Sequence, residues 1–143
     1  MSDPQSVAEA SARAMYEQDR ASQALGMRIL EVRPGYARVA MKVREDMVNG
    51  HQLCHGGLIF TLADSAFAFA CNTYDLVTVA SAASVEFLLT ARLGDELTAI
   101  AEERSRSKRT GVYDVTVRNS QGECVALFRG RSHQIGGSIS AAS

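Results

Sequence analysis

Cysteine is scarce in this 143-residue sequence, and the three present, Cys54, Cys71 and Cys124, are an odd number at wide spacing. They form no CxxC pair and no metal-finger pattern, so a disulfide scaffold is excluded and a reduced, cytoplasmic chain is expected, with no metal or cofactor. Net charge is also lacking. Fifteen Lys and Arg stand against sixteen Asp and Glu, a formal charge of −1. No overall field draws such a chain to nucleic acid or to an anionic membrane, so its partners must be recognised locally. Long apolar runs are missing too. The stretch up to Ala14 carries Asp3, Glu9 and Arg13 where a signal peptide would have its apolar core. The longest apolar stretch, Leu58 to Cys71, is broken by Thr61, Asp64 and Ser65 and is too short to span a bilayer.

What is present fits one folded unit. Hydrophobic residues make up 46% and charged residues 22% of the chain, close to the averages of globular proteins, and a single domain over residues 1–143 is expected. An Ala-, Glu- and Arg-rich segment behind Pro4 predicts a peripheral helix over about residues 5–19. Short apolar-polar runs at Met27 to Val32 and Tyr36 to Val43, separated by Pro34-Gly35, predict a hairpin. Arg44 to Cys54 is a loop with a turn at Asn49-Gly50. Four more strands are expected near Val77 to Phe87, Glu96 to Arg106, Thr110 to Asn119 and Glu123 to Gln134. Their short connections leave no room for crossover helices, so the sheet is antiparallel and the class is α+β. The small residues of 137–143 predict a fraying tail.

Between the second and third strands, His55 to Asn72 reads HGGLIFTLADSAFAFACN, with apolar residues spread around the helix axis. A helix of that kind is buried on most sides, and about six strands wrapped round it would bury it. Asp64 is its only carboxylate. An ionised carboxylate costs several kcal/mol to bury unless paired, and perturbed groups of this kind concentrate at functional sites; the plainer alternative is a local hydrogen bond or a subunit contact. Gly56 and Gly57 open the helix, where unpaired N–H groups and the macrodipole suit an oxyanion, although two glycines also make a tight entry turn. Helix geometry adds a constraint. Gly56 and Asp64 are eight residues apart, roughly 12 Å along the axis at ~1.5 Å per residue. If both act on one small carbonyl, the amide comes from one subunit and the carboxylate from another whose helix runs antiparallel, which predicts a two-fold dimer.

The run Asn49-Gly50-His51-Gln52-Leu53-Cys54-His55-Gly56-Gly57, followed by Phe60-Thr61-Leu62-Ala63-Asp64, resembles the hotdog-fold thioesterases of the PaaI type. Leu93-Gly94-Asp95, Thr110 to Asp114 and Val125 to Gly130 extend the resemblance in order, from about Ala14 to Gly137. It implies a hotdog homodimer, paired into a homotetramer, that hydrolyses acyl-CoA thioesters at the dimer interface. Phenylacetyl-CoA and its ring-hydroxylated relatives are the implied substrates. In that pattern the Gly56 amide and the Asn49 side chain hold the thioester carbonyl, and Asp64 of the facing subunit attacks it or activates water. His55 shapes the turn, and the hydroxyl near the carboxylate falls among Ser81 and Ser84, with Ser81 taken as the candidate.

Basic residues gather at Arg104, Arg106, Lys108 and Arg109, either as a solvated hairpin tip or as a cradle for the phosphates of CoA. Lys108 and Arg109 lie next to the family-like Thr110-Gly111, and they are grouped with Gly57 as the CoA contacts. Two other readings compete. A hydratase or dehydratase of the same fold would need an Asp and His pair, for which His51 is the available partner. A non-catalytic acyl-CoA-binding protein would have little reason to keep Asp64.

Overall fold

The structure, a computed structural model, describes residues 3–142. Met1, Ser2 and Ser143, which the single-domain expectation includes, lie outside the described residues. Six antiparallel strands form one sheet: β1 Arg28–Arg33, β2 Tyr36–Lys42, β3 Thr78–Phe87, β4 Glu96–Arg106, β5 Thr110–Arg118 and β6 Cys124–Gln134. Their order across the sheet is β1-β2-β4-β5-β6-β3, so β1 and β3 are its edges. The helices are α1 Pro4–Gln18, α2 Arg20–Ala24, α3 Gly56–Cys71 and α4 Ile139–Ala142. All six expected strands form, and the α+β hotdog arrangement follows: the sheet curls round α3. No described helix is long and apolar enough to cross a membrane.

The sheet turns one face to α3, and alternation shows which. Along β5 the inward residues Gly111, Tyr113, Val115 and Val117 are buried and the residues between them are not. In α3, Ile59, Leu62, Ala63, Ala66, Phe67, Phe69, Ala70 and Cys71 are buried. The half-exposed Phe60, Thr61, Asp64 and Ala68 recur every three or four residues and so lie along one strip of the helix. The expectation of burial on most sides therefore holds, and the strip that escapes it contains Asp64.

Aromatic packing fixes the helix on the sheet. Phe67 lies 5.7 Å from both Tyr113 on β5 and Phe128 on β6, and Phe60 meets Phe128 edge-on at 5.4 Å. Gly130 makes room for this cluster, since a Cβ at that position would stand 2.8 Å from the Phe67 ring. Asn72 then stitches the end of α3 to the start of β3. Its Nδ2 donates to the carbonyls of Ala68 at 2.8 Å and Thr78 at 2.9 Å, while its Oδ1 accepts from the Thr78 amide at 2.9 Å.

Behind the expected end near Asp19, where the backbone leaves helical geometry (φ −89°, ψ 84°), an additional helix α2 follows, and α1 itself closes at Gln18. It is also more than peripheral, since Gln5 Nε2 donates to the Val32 carbonyl, Tyr16 OH donates to the Met27 carbonyl, and Ala8 and Ala12 are buried. In residues 137–142, expected to fray, α4 places a buried Ile139, and Ser138 and Ser140 donate to Asp75.

β3 is the unusual strand. Apart from Thr78 and Val85 its residues are exposed, and Phe87, Leu88 and Leu89 at its end are 51%, 51% and 45% exposed. Long apolar edges of this kind are rarely left uncovered. For the core itself, Gly130→Ala should destabilise the protein by ~1–3 kcal/mol through overpacking against Phe67. Urea unfolding reads this as a lower midpoint, and an unchanged midpoint would contradict the packing described.

Candidate active site

The loop before α3 delivers a helix end without a side-chain cap. It opens with a 3-10 turn, Glu45–Met47. Asn49 Oδ1 then accepts from the amides of His51 at 2.9 Å and Leu53 at 3.2 Å, and Gln52 turns the chain at φ +64°. The far side of the loop is pinned by Cys54 N–H to the Ala91 carbonyl and by His55 N–H to the Met47 carbonyl. His55 enters α3 as the N-cap with extended backbone (φ −60°, ψ 136°), and its side chain makes no capping hydrogen bond. Among the described residues, no side chain accepts from the amides of Gly56 or Gly57. These two N–H groups lie in the first turn, where a helix has no internal acceptor to offer.

The sequence-predicted residues thus fall into groups. Asn49, His55, Gly56 and Gly57 come together at the N-terminal end of α3. The carbonyl of the Asn49 side chain is committed to the loop, and among the described residues its Nδ2 donates to nothing. His51 and His55 are exposed, and neither pairs with a carboxylate among the described residues. One neighbour was not legible beforehand: the Phe87 ring covers Gly56, with its Cζ 3.0 Å from where a Cβ would stand. Its only signal in the sequence is a large apolar residue closing a strand.

Asp64 stands two turns further along α3. It is half-buried and has no hydrogen-bond partner among the described residues. Burial, and secondarily the negative charge of Asp19, hold its carboxyl above the usual carboxylate range. Cys71 is buried on the same helix, and its thiol is pushed up to about 12, chiefly by that burial, which makes it an inert core group.

Ser81 is on β3. It lies at a bulge in β3, where the pairing with β6 slips between Ala80 and Ala82, and its hydroxyl donates to the Arg131 carbonyl at 3.2 Å. Among the described residues no hydrogen bond joins it to Asp64. The basic group separates as well. Arg104 binds Asp114 at 3.0 Å, and Arg106 stacks over Tyr74 at 3.5 Å. Lys108 and Arg109 remain exposed at the β4–β5 turn without an ion pair among the described residues. Arg109 lines a small polar cavity with Cys71, Tyr74 and Tyr113 at the C-terminal end of α3. The basic turn and Gly57 therefore lie at opposite ends of a 16-residue helix, which spans roughly 24 Å. One chain does not bring them together.

The perturbed carboxyl has a consequence for stability. Below the unfolded value of 3.8 both states of Asp64 are protonated, and stability falls as pH climbs from there through the raised folded value. Asp64→Asn should therefore melt at a higher temperature than the parent at pH 7, with the gain vanishing below pH 3.8. A variant no more stable than the parent at pH 7 would contradict the burial assigned to this carboxylate.

The thioesterase superfamily model matches residues 51–126, from the loop before α3 into β6. The acyl-coenzyme A thioesterase PaaI of Escherichia coli K12 is 53% identical over 90% of this chain and 92% of its own length. A putative esterase of Archaeoglobus fulgidus is 37% identical over 85% of the chain and 79% of its own length. Among solved structures, the E. coli PaaI protein from the phenylacetic acid degradation operon superposes with a TM-score of 0.93 at 50% identity, over 95% of this chain and 99% of that one. A hypothetical thioesterase from Streptococcus pneumoniae, solved with coenzyme A, gives 0.79 at 26% identity over 88% of this chain and 97% of that one. The chain thus belongs to the thioesterase superfamily, in its PaaI-type hotdog branch, and is a thioester hydrolase.

Proposed function

We propose that the chain hydrolyses acyl-CoA thioesters in the cytoplasm, with phenylacetyl-CoA and its ring-hydroxylated derivatives as substrates. One observation carries the reading of the site: a carboxylate that is half-buried and without a partner among the described residues lies on the same rod as an uncapped helix N-terminus, but two turns away from it. The reading resolves this by pairing two chains. Two copies of α3 lie antiparallel, so that Asp64 of one faces the Gly56 amide of the other. The exposed strip of α3 and the apolar edge at β3 supply the surface for that pairing, and the same dimers pair again into a tetramer.

In this arrangement the thioester carbonyl accepts from Gly56 N–H and from Asn49 Nδ2. Negative charge developing on that oxygen is stabilised by donors already in place, each worth about 2.7–4 kcal/mol in comparable acyl-transfer sites. Asp64 of the facing subunit adds to the carbonyl carbon or takes a proton from the water that does, and the thiolate of CoA leaves with little acid assistance. The loss of solvation at Asp64 makes it a better base than an exposed carboxylate. His55 sets the entry angle of the helix, and Ser81 on β3 is the assisting hydroxyl.

Antiparallel helices would also carry the Lys108 and Arg109 turn of one subunit towards the Gly57 end of the other, where these groups hold the nucleotide part of CoA. Two relatives support the substrate class: the E. coli protein is an acyl-coenzyme A thioesterase, and the streptococcal structure was solved with coenzyme A. Release of free thiol from a panel of acyl-CoAs tests the reading. Turnover should be fastest with arylacetyl-CoA esters, and Asp64→Ala should lower it by about 10²–10⁴-fold. Activity persisting in that variant would overturn the site, and a preference for straight-chain esters would overturn the acyl class.

A further inference from the structure

The corner between α1 and α2 reaches the turn of α3 that holds Asp64. Asp19 closes α1 by donating its N–H to the Tyr16 carbonyl at 3.1 Å, then caps α2. Its Oδ1 accepts from the Ser22 amide at 2.9 Å and its Oδ2 from the Ser22 hydroxyl at 2.7 Å. Ser22 is buried at 1% exposure, and its oxygen lies 2.9 Å from the Ser65 hydroxyl. The single Ser22 proton goes to Asp19, so Ser65 must be the donor in that contact. A directed chain of hydrogen bonds therefore runs from Ser65, the residue after Asp64, to a second carboxylate. The corner is also held in place, because Tyr16 packs on Phe69 of α3 at 6.3 Å and its hydroxyl bonds the Met27 carbonyl.

Neither Asp19 nor Ser22 belongs to the machinery assigned above. We propose that Asp19 is a positioning residue for the hydrolytic reaction: through Ser22 and Ser65 it fixes the turn of α3 bearing Asp64, and it sets a second negative charge beside that carboxylate. Capping α2 needs only an oxygen at residue 19, which Asn or Ser would provide equally well. The charge is what distinguishes Asp here. The titratable groups that act on Asp64 or respond to it are Asp19, from the α1–α2 corner, and the Cys71 thiol on α3 itself. No basic side chain of the described residues offsets them. Both burial and Asp19 push the Asp64 carboxyl in one direction, upward, so removing the Asp19 charge lowers it.

This inference rests on the catalytic role of Asp64. Rates of thiol release from one acyl-CoA, followed against pH, test it in Asp19→Asn and Asp19→Ser, both of which keep the cap of α2. The acid limb of kcat/KM should move to lower pH in both, so that the rate below the limb rises above that of the parent. A purely structural role would lower the rate at every pH and leave the limb in place. An unmoved limb, with Asp64→Asn inactive, overturns the role of Asp19 and leaves that of Asp64 standing. Activity retained in Asp64→Asn removes the catalytic reading, and the role of Asp19 with it.

Discussion

The fixed rise of an α-helix governs this molecule. At ~1.5 Å per residue, the amide of Gly56 and the carboxylate of Asp64 stand roughly 12 Å apart on one rigid element, a separation no side-chain motion closes. Packing leaves α3 no freedom to bend. Phe67 is locked between Tyr113 and Phe128, Gly130 lets it approach the sheet, and Asn72 ties the end of the helix to β3. A chain that holds these two groups this rigidly can use both on one carbonyl only by supplying them from two copies, which is the arrangement proposed for the dimer.

The rest of the structure is consistent with that demand. Most of α3 is buried against its own sheet and the α1–α2 corner, and the half-exposed strip carries Asp64. The strand that follows the helix is a sheet edge with both faces largely open. Its last apolar residue, Phe87, covers Gly56 next to the amide that holds the carbonyl in the proposed mechanism. Burial that steadies the helix also strips water from Asp64, so the same packing gives the carboxylate its raised proton affinity and removes stability at neutral pH. In the proposed mechanism, function and stability pull against each other at this residue.

Most of the fold was legible because the physics that sets it is local. Alternation marked the strands, Pro34-Gly35 and Asn49-Gly50 marked turns, and the apolar run of α3 announced a buried helix. The end of the first helix near Asp19 was visible but the short α2 behind it was not, because Asp in a polar segment looks the same whether it caps a new helix or is solvated. Single residues of the site divided in the same way. Gly56, Asn49 and Asp64 could be named from spacing and resemblance. The cover that Phe87 places over Gly56, the commitment of Asn49 Oδ1 to its own loop and the relay from Ser65 to Asp19 join residues far apart in sequence, and only the packed chain reveals them.

The composite site is tested most directly by mixing two inactive subunits. Gly56→Pro removes the amide donor at a helix position that accepts proline, behind a residue already in the extended conformation proline requires, and its ring shifts only the exposed Phe87 side chain that lies 3.0 Å from that Cβ. Asp64→Ala removes the carboxylate. If each site takes its amide from one subunit and its carboxylate from the other, a mixed dimer contains one intact site, and unfolding and refolding the two variants together should restore thiol release. If both groups served the same chain, every site in the mixture would lack one of them, and a mixture as inactive as its parents would contradict the account.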